Sequence, residues 1–482
     1  MSITRIFVLW AILALSLSCG CSDPEDENTT DTGSDTGTGS DTGSDTGLTS
    51  TDTPSDTGST PADTGDTVSD TTDTDSDTSD TSDTGSDTGS ATEDTESESE
   101  MIPVTRDSDD DVCAFDEPVA TGAPDGDGMV LVPPNHPDIN YFGRVNCTNP
   151  AAPSFAFPGI SIRAQFSGTA IDMILDDGGS AAKPNFYNII IDDGEPQNLQ
   201  VSPGENTYEL ARDLATGTHT VEVFKRNESD WGNGEGAFLG FRIQEGESLS
   251  PILPRSRRIE FIGDSITCGY GIELSVDDPN GYNYTTENSN EYNAWGAVAA
   301  RALDAELMVV AASGRGVYRN YSDGSGDLVP EMYLDTHPDS SASTSWNIGQ
   351  FTPEVLVINL GTNDFSPGVE RDDLEALRAS YESAMAAFVA RLRGYYPNTA
   401  IILALGPVLS NGYPEYYQSL SWVRTALQNV AQAREDAGDS NVYILNLPQQ
   451  QAPYGEDWHP TVATQQSMAD DLLALIETEG LM

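Results

Sequence analysis

Arg258-Ile259-Glu260-Phe261-Ile262-Gly263-Asp264-Ser265-Ile266-Thr267 decides how the C-terminal half of this chain folds. A mostly apolar run ends in Gly and then Asp-Ser, so a buried strand runs into a turn that presents a hydroxyl. Further along the chain the same grammar repeats. Leu307–Ala312, Val355–Leu360, Ala400–Leu405 and Asn441–Leu445 are four more strand candidates. Helical patterns separate them. They are Ala294–Leu303, Asp372–Leu392, Tyr417–Ala437 and Thr461–Leu475. In the second of these, Leu374, Leu377, Tyr381, Met385, Phe388 and Leu392 recur at steps of three and four. Alternation of this kind predicts an α/β domain over residues 255–482, a parallel sheet covered by helices on both faces. In such sheets functional groups gather at the carboxyl ends of the strands.

Three polar motifs sit at those ends. Ser265 lies on the first strand-to-helix turn, where nearby amides stabilise developing negative charge. Gly361-Thr362-Asn363-Asp364 follows the third strand and supplies a side-chain amide donor. Asp457-Trp458-His459-Pro460 opens the last helix and supplies a general-base candidate. Each motif alone reads as a cap or a turn. Together they form a nucleophile, an oxyanion donor and a base, the parts needed for acyl transfer. Asp335-Thr336-His337-Pro338 repeats the Asp-x-His-Pro pattern ahead of the Asn363 motif, in a Pro- and Ser-rich loop; His459 is preferred to His337. The chain has four His and no clustered Cys and His, so no metal site and no cofactor are expected.

Toward the N-terminus, residues 112–250 read as all-β, a sandwich or jelly roll. Ile160–Phe166, Ala170–Leu175, Tyr187–Ile191 and Thr218–Lys225 are short strand candidates. Turn signals such as Ser167-Gly168, Asp177-Gly178-Gly179 and Asp192-Asp193-Gly194 separate them. Cys113 and Cys147 are the only Cys pair in this region and form a candidate disulfide. His219, inside a strand pattern, is expected to be structural, and Cys268 is expected to pack rather than react.

Residues 22–111 contain almost nothing to bury. Repeats such as Ser34-Asp35-Thr36-Gly37 and Ser86-Asp87-Thr88-Gly89 fill them, and residues 22–100 hold 24 acidic groups and no Lys or Arg. A segment of this composition does not offset its chain entropy and is expected to be a disordered acidic spacer. Before it, Arg5 precedes the apolar run Ile6–Leu17 and then Ser18-Cys19-Gly20-Cys21, the layout of a secretory signal over residues 1–21. Cys19 or Cys21 resembles the lipidated Cys of a bacterial lipobox. The expectation is export, either as a cell-surface lipoprotein or as a secreted protein, with membrane attachment only through that Cys. Formal net charge is −58, from 79 acidic against 21 basic residues. Such a balance excludes a nucleic-acid binder, which needs a basic face, and argues against docking on anionic head groups.

The ordered motifs resemble a known family. Gly263-Asp264-Ser265, the Gly of Ser313-Gly314-Arg315-Gly316, Gly361-x-Asn363-Asp364 and a late His459-Pro460 match the four blocks of SGNH (GDSL-type) hydrolases. Gly263 to Gly271 (Gly-Asp-Ser-Ile-Thr-Cys-Gly-Tyr-Gly), Thr286-Glu287-Asn288-Ser289 and Asp457-Trp458-His459-Pro460 are similar to carbohydrate esterase family 2, the acetyl xylan esterase-like enzymes. The resemblance covers residues 140–480. It implies a jelly roll joined to a flavodoxin-like SGNH domain and removal of O-acetyl groups from an acetylated polysaccharide such as xylan. It also implies roles: Ser265 as nucleophile, His459 as base, and the Ser265 amide, Gly314 amide and Asn363 side chain as oxyanion hole, with Gly316 as a substitute for Gly314. For the acid, Asp457 is ranked ahead of Glu456, with a backbone carbonyl as the third choice. Trp346 and Trp458 are the aromatic platforms expected to meet sugar. Two other functions stay open: an inactive carbohydrate-binding surface protein, and an esterase acting on lipid or cell-wall acetyl groups.

Overall fold

The structure is a computed structural model and describes residue 113 and residues 122–229, 234–275, 283–338 and 344–482. The expected signal, Cys19, Cys21 and the acidic spacer lie outside the described residues.

From Met129 to Ser250 every element is a strand. Two six-stranded antiparallel sheets form. One centres on Gly236–Gln244, flanked by Met129–Val132, Ser154–Phe155 and Ile171–Asp177. The other centres on Ser161–Gly168 and Gly217–Lys225, with Phe186–Ile191 beside the latter. Along Gly217–Lys225, His219, Val221 and Val223 are buried while Thr220 and Glu222 are half-buried, the period-two pattern of a pleated strand. Side chains from both sheets, among them Phe155, Phe166, Met173, Val223 and Phe241, meet in one apolar core. Cys113 and Cys147 are joined by a disulfide.

Past an exposed connection at Leu253 the pattern changes. Five strands, Arg257–Gly263, Ala305–Ala311, Val355–Asn359, Ala400–Leu405 and Val442–Asn446, form one parallel sheet. Ala305–Ala311 lies on one side of the first strand, and Val355–Asn359, Ala400–Leu405 and Val442–Asn446 follow on the other. This is the flavodoxin-like order. The four longer helices between and after them are Trp295–Ala302, Leu374–Tyr395, Ser419–Asp436 and Val462–Glu479. In Leu374–Tyr395 the residues at steps of three and four are the buried ones. Ala305–Ala311, Val355–Asn359 and Ala400–Leu405, mostly apolar, are buried along their whole length, as a helix-covered parallel sheet requires.

Buried ion pairs join the two regions. Arg144 from the antiparallel region reaches Glu260 on the first parallel strand at 3.2 Å, and its guanidinium lies 4.6 Å from the Tyr333 ring centroid. Arg163 pairs with Glu306 on the second. Burial pushes the Glu260 carboxyl up, opposed by Arg144. A pair of this kind fixes alignment more than it adds net stability, while loss of one partner leaves an uncompensated buried charge.

Candidate active site

The first parallel strand sits between two neighbours, so successive connections leave it in opposite directions. The carboxyl ends of the strands at such a switch point border a crevice. Ser265 lies two residues past Gly263, on the turn after that strand. Gly314 and Asn363 follow the flanking strands Ala305–Ala311 and Val355–Asn359. His459 comes from the loop between the last strand and the helix Val462–Glu479, which Thr461 caps.

The hydroxyl of Ser265 donates to His459 Nε2 at 2.7 Å. The other ring nitrogen, Nδ1, lies 3.0 Å from the backbone carbonyl of Glu456. A carbonyl only accepts, so Nδ1 carries the proton and Nε2 is left as the base. Burial holds the imidazole pKa below the ordinary value of 6.5, opposed by the Glu456 carbonyl and the Asp457 charge. His459 is therefore neutral at pH 7 and ready to take a proton.

The Asp457 side chain does not face the imidazole. Its Oδ2 accepts from the Tyr270 hydroxyl at 2.6 Å. The expectation that Asp457 orients the base is corrected to the third choice, a backbone carbonyl. The reason is local geometry: Asp457 and Trp458 adopt left-handed φ of 46° and 60°, which directs the Glu456 carbonyl, not the Asp457 carboxylate, at Nδ1. Glu456 is fully buried and its carboxylate accepts from Thr285 N and Oγ1, both at 2.9 Å, and from Asn288 Nδ2 at 2.8 Å. Its carbonyl is thus held by its own anchored side chain. Gly271, at φ 57°, lies against it, and a Cβ there would come within 2.4 Å of Glu456 Cβ.

On the nucleophile side, Asp264 anchors the turn. Its Oδ1 accepts from Ile266 N at 3.0 Å, and burial pushes its carboxyl up to about 7. Asn363 donates through Nδ2 to the Arg315 carbonyl at 2.8 Å and to Asp264 Oδ2 at 3.2 Å, which ties the three strand ends together. Asp364 accepts from Val317 N, Tyr318 N and Arg319 N at 3.2, 2.7 and 3.0 Å, clamping the loop after Gly314. Gly314 takes φ 78°, which suits a residue without Cβ. The Gly316 N–H is committed to Asn320 Oδ1 at 3.1 Å. Among the described residues neither the Ser265 N–H nor the Gly314 N–H has a hydrogen-bond partner. Two uncommitted amides, one on Ser265 itself and one at the end of the neighbouring strand Ala305–Ala311, are donors of the kind a developing oxyanion needs.

The two Trp residues part company. Trp458 is 62% exposed and adjoins His459. Trp346 is buried between the two regions with the Arg144 guanidinium 5.4 Å from its ring centroid, so its placement on a sugar-binding surface is corrected. Its Ser- and Asn-rich flanks suggest an open loop, but sequence does not show that Arg144 covers the ring. His337 faces Glu235 at 3.8 Å. His219 bonds Asp192 and the Ala215 carbonyl. Sequence reasoning missed Tyr270, whose ring lies 4.3 Å from both the Tyr284 and the His459 ring centroids. Its signal was the Gly269-Tyr270-Gly271 sequence, two turns flanking one aromatic. Among the described residues no cluster of His, Cys, Asp or Glu is placed to hold a metal ion.

Comparisons with known proteins agree with this architecture. The carbohydrate esterase 2 N-terminal model matches residues 141–252, and the GDSL-like lipase/acylhydrolase model matches residues 261–467. The sequence is 34% identical over 347 residues to the cellulase/esterase CelE of Acetivibrio thermocellus, a match that covers 72% of this chain and 40% of that protein. It is 27% identical to an acetylxylan esterase/glucomannan deacetylase of Cellvibrio japonicus, over 70% of this chain and 87% of the relative. A solved family two carbohydrate esterase from Clostridium thermocellum, in complex with cellohexaose, matches with TM-score 0.64 at 33% identity, covering 71% of this chain and 100% of its own. With that coverage at that identity, and both domain models in the expected order, the chain belongs to carbohydrate esterase family 2.

Proposed function

We propose that this chain is a serine esterase that removes O-acetyl groups from a polysaccharide through an acetyl-enzyme. The observation that carries the reading is the relay from the Glu456 carbonyl through His459 to Ser265, beside two free amides. Ser265 Oγ attacks the acetyl carbon as its proton passes to His459 Nε2. The carbonyl oxygen becomes an oxyanion facing the Ser265 and Gly314 amides and Asn363 Nδ2, which gives up the longer of its two bonds, to Asp264 Oδ2 at 3.2 Å, to donate to it. Collapse breaks the bond to the sugar oxygen, which takes the proton from Nε2 and leaves as an alcohol. Water then attacks the acetyl-serine with His459 again as base; the bond from the acyl carbon to Ser265 Oγ breaks, Oγ takes the proton back from Nε2, and acetate departs.

The glycan class is read from relatives. One carries cellohexaose in its structure, and another is named for acetylxylan and glucomannan. All three backbones are β-1,4-linked, so we read the substrate as an acetylated β-1,4-glycan, with exposed Trp458 as the platform beside the catalytic His459. The antiparallel region is read as a jelly roll, supported by strands that pass from one sheet to the other along the chain. Residues 1–21 are read as an export signal carrying a lipidation candidate at Cys19 or Cys21, and residues 22–111 as a spacer, on composition alone. The test is acetate release from acetylated xylan and acetylated glucomannan against acetylated peptidoglycan. Release from the first two alone is the expected result. Release from peptidoglycan alone overturns the glycan assignment.

A further inference from the structure

Among the described residues, the segment Arg226-Asn227-Glu228, directly after the strand Gly217–Lys225, carries the antiparallel region to the turns of the catalytic centre. Glu228 is 3% exposed. Its Oε2 accepts from the Ser313 N–H at 2.7 Å and from the Cys268 thiol at 3.5 Å, and its Oε1 accepts from the Ser313 hydroxyl. Ser313 immediately precedes Gly314, and Cys268 belongs to the turn that carries Ser265. One carboxylate therefore grips both turns that present the free amides. Bonds from N–H and O–H to a buried carboxylate are charge-assisted, roughly twice as strong as neutral ones.

The segment is itself anchored from the antiparallel side. Ser229 N donates to the Ala156 carbonyl at 2.9 Å. Asn227 accepts from Phe186 N at 2.9 Å and donates to Asn185 Oδ1 at 3.0 Å. The buried Lys225 ammonium bonds the Asn227 carbonyl. On the other flank, Arg226 donates to the Glu287 carbonyl at 2.9 Å and pairs with Glu273. Arg226 thereby braces the loop whose Asn288 holds Glu456, and Glu456 in turn holds His459.

We propose that Glu228 is a positioning residue for the oxyanion site, so that the antiparallel region sets the register of the Ser265 and Gly314 amides. This rests on the esterase reading above. Donors to a developing charge must stand within about 0.5 Å of their working positions, and a misplacement of about 1 Å costs on the order of a hundredfold in rate. A residue that only joins the two regions would alter stability and the yield of folded protein, not the turnover of each intact site.

The test uses the full chain with 4-nitrophenyl acetate as probe. A serine-directed phosphonate, taken to completion, counts the intact sites. Glu228→Ala is expected to lower kcat per titrated site at least tenfold with KM within twofold of the parent. Glu228→Gln keeps an acceptor for Ser313 N–H and a donor for its hydroxyl, and is expected to lose only three- to tenfold. Combined with Asn363→Ala, the loss in Glu228→Ala should fall short of the product of the single losses, because both act on one oxyanion. The proposal is overturned if kcat per site in Glu228→Ala stays within twofold of the parent, or if the two losses multiply. Should the Ala variant not fold, the same twofold criterion applied to Glu228→Gln overturns it. A parent with no ester hydrolysis at all sinks the esterase reading and this inference with it. An active parent beside an unaffected Glu228 variant sinks this inference alone.

Discussion

Asp457→Asn separates two ways of orienting His459. In a triad the acid holds the imidazole tautomer, and its amide replacement costs about 10⁴ in turnover. In this structure the tautomer is held by the Glu456 carbonyl at 3.0 Å, a group the substitution leaves in place. What Asp457→Asn removes is charge. The carboxylate favours protonated His459, and its own partner is the Tyr270 hydroxyl at 2.6 Å. A solvent-exposed unit charge of this kind is worth on the order of 1 kcal/mol to its neighbour. Such a difference is about three- to tenfold in rate. An amide also still accepts from Tyr270, so the stack of Tyr284, Tyr270 and His459 persists. The assay is kcat for acetate release from 4-nitrophenyl acetate and from acetylated xylan, with thermal melting as a check on folding. A three- to tenfold fall fits the carbonyl-oriented dyad. A loss of a thousandfold or more with intact folding would show that Asp457 reaches Nδ1 during turnover, and the reasoning would fail.

Other consequences follow from the same geometry. Glu456→Ala should be the more damaging change in this loop. It strands the buried donors Thr285 N, Thr285 Oγ1 and Asn288 Nδ2, lowering stability by about 2–4 kcal/mol by denaturant titration, and it frees the carbonyl that orients His459. Asn363→Ala removes an oxyanion donor and should cut kcat about a hundred- to thousandfold with little change in KM; a change confined to KM would reassign Asn363 to ground-state binding. The acid limb of kcat/KM should titrate below the ordinary histidine value of 6.5, because burial depresses His459 and only its neutral form accepts the seryl proton. The same depressed pKa makes the contribution of His459 to stability decline as pH falls through it. An acid limb centred above 6.5 contradicts both statements.

How much of this was legible in the sequence depended on the type of signal. The parallel strands were legible because burial on both faces writes unbroken apolar runs such as Ala400–Leu405. Helix Leu374–Tyr395 was legible because its core face recurs at helical spacing. The strand Gly204–Ala211 was not, since only Leu210 along it is buried and its polar, Gly-led sequence reads as a loop. Ser265 and His459 were legible as side chains whose chemistry needs them. The group that orients His459 was not, because every residue has a carbonyl and only the backbone angles at Asp457 and Trp458 decide where one points. Trp346 failed for a related reason: its cover, Arg144, comes from the antiparallel region about two hundred residues away, a distance that local composition does not report.

The central claim is that Ser265 becomes acetylated. Acid-quenching the enzyme in the first turnovers of an acetyl ester and mapping its peptides by mass spectrometry tests it most directly. One acetyl group on the peptide carrying Ser265 is the predicted result, with no acetylated peptide and no hydrolysis in a folded Ser265→Ala variant. Turnover that survives in Ser265→Ala, or an acetyl group on any other residue in its place, would contradict the account.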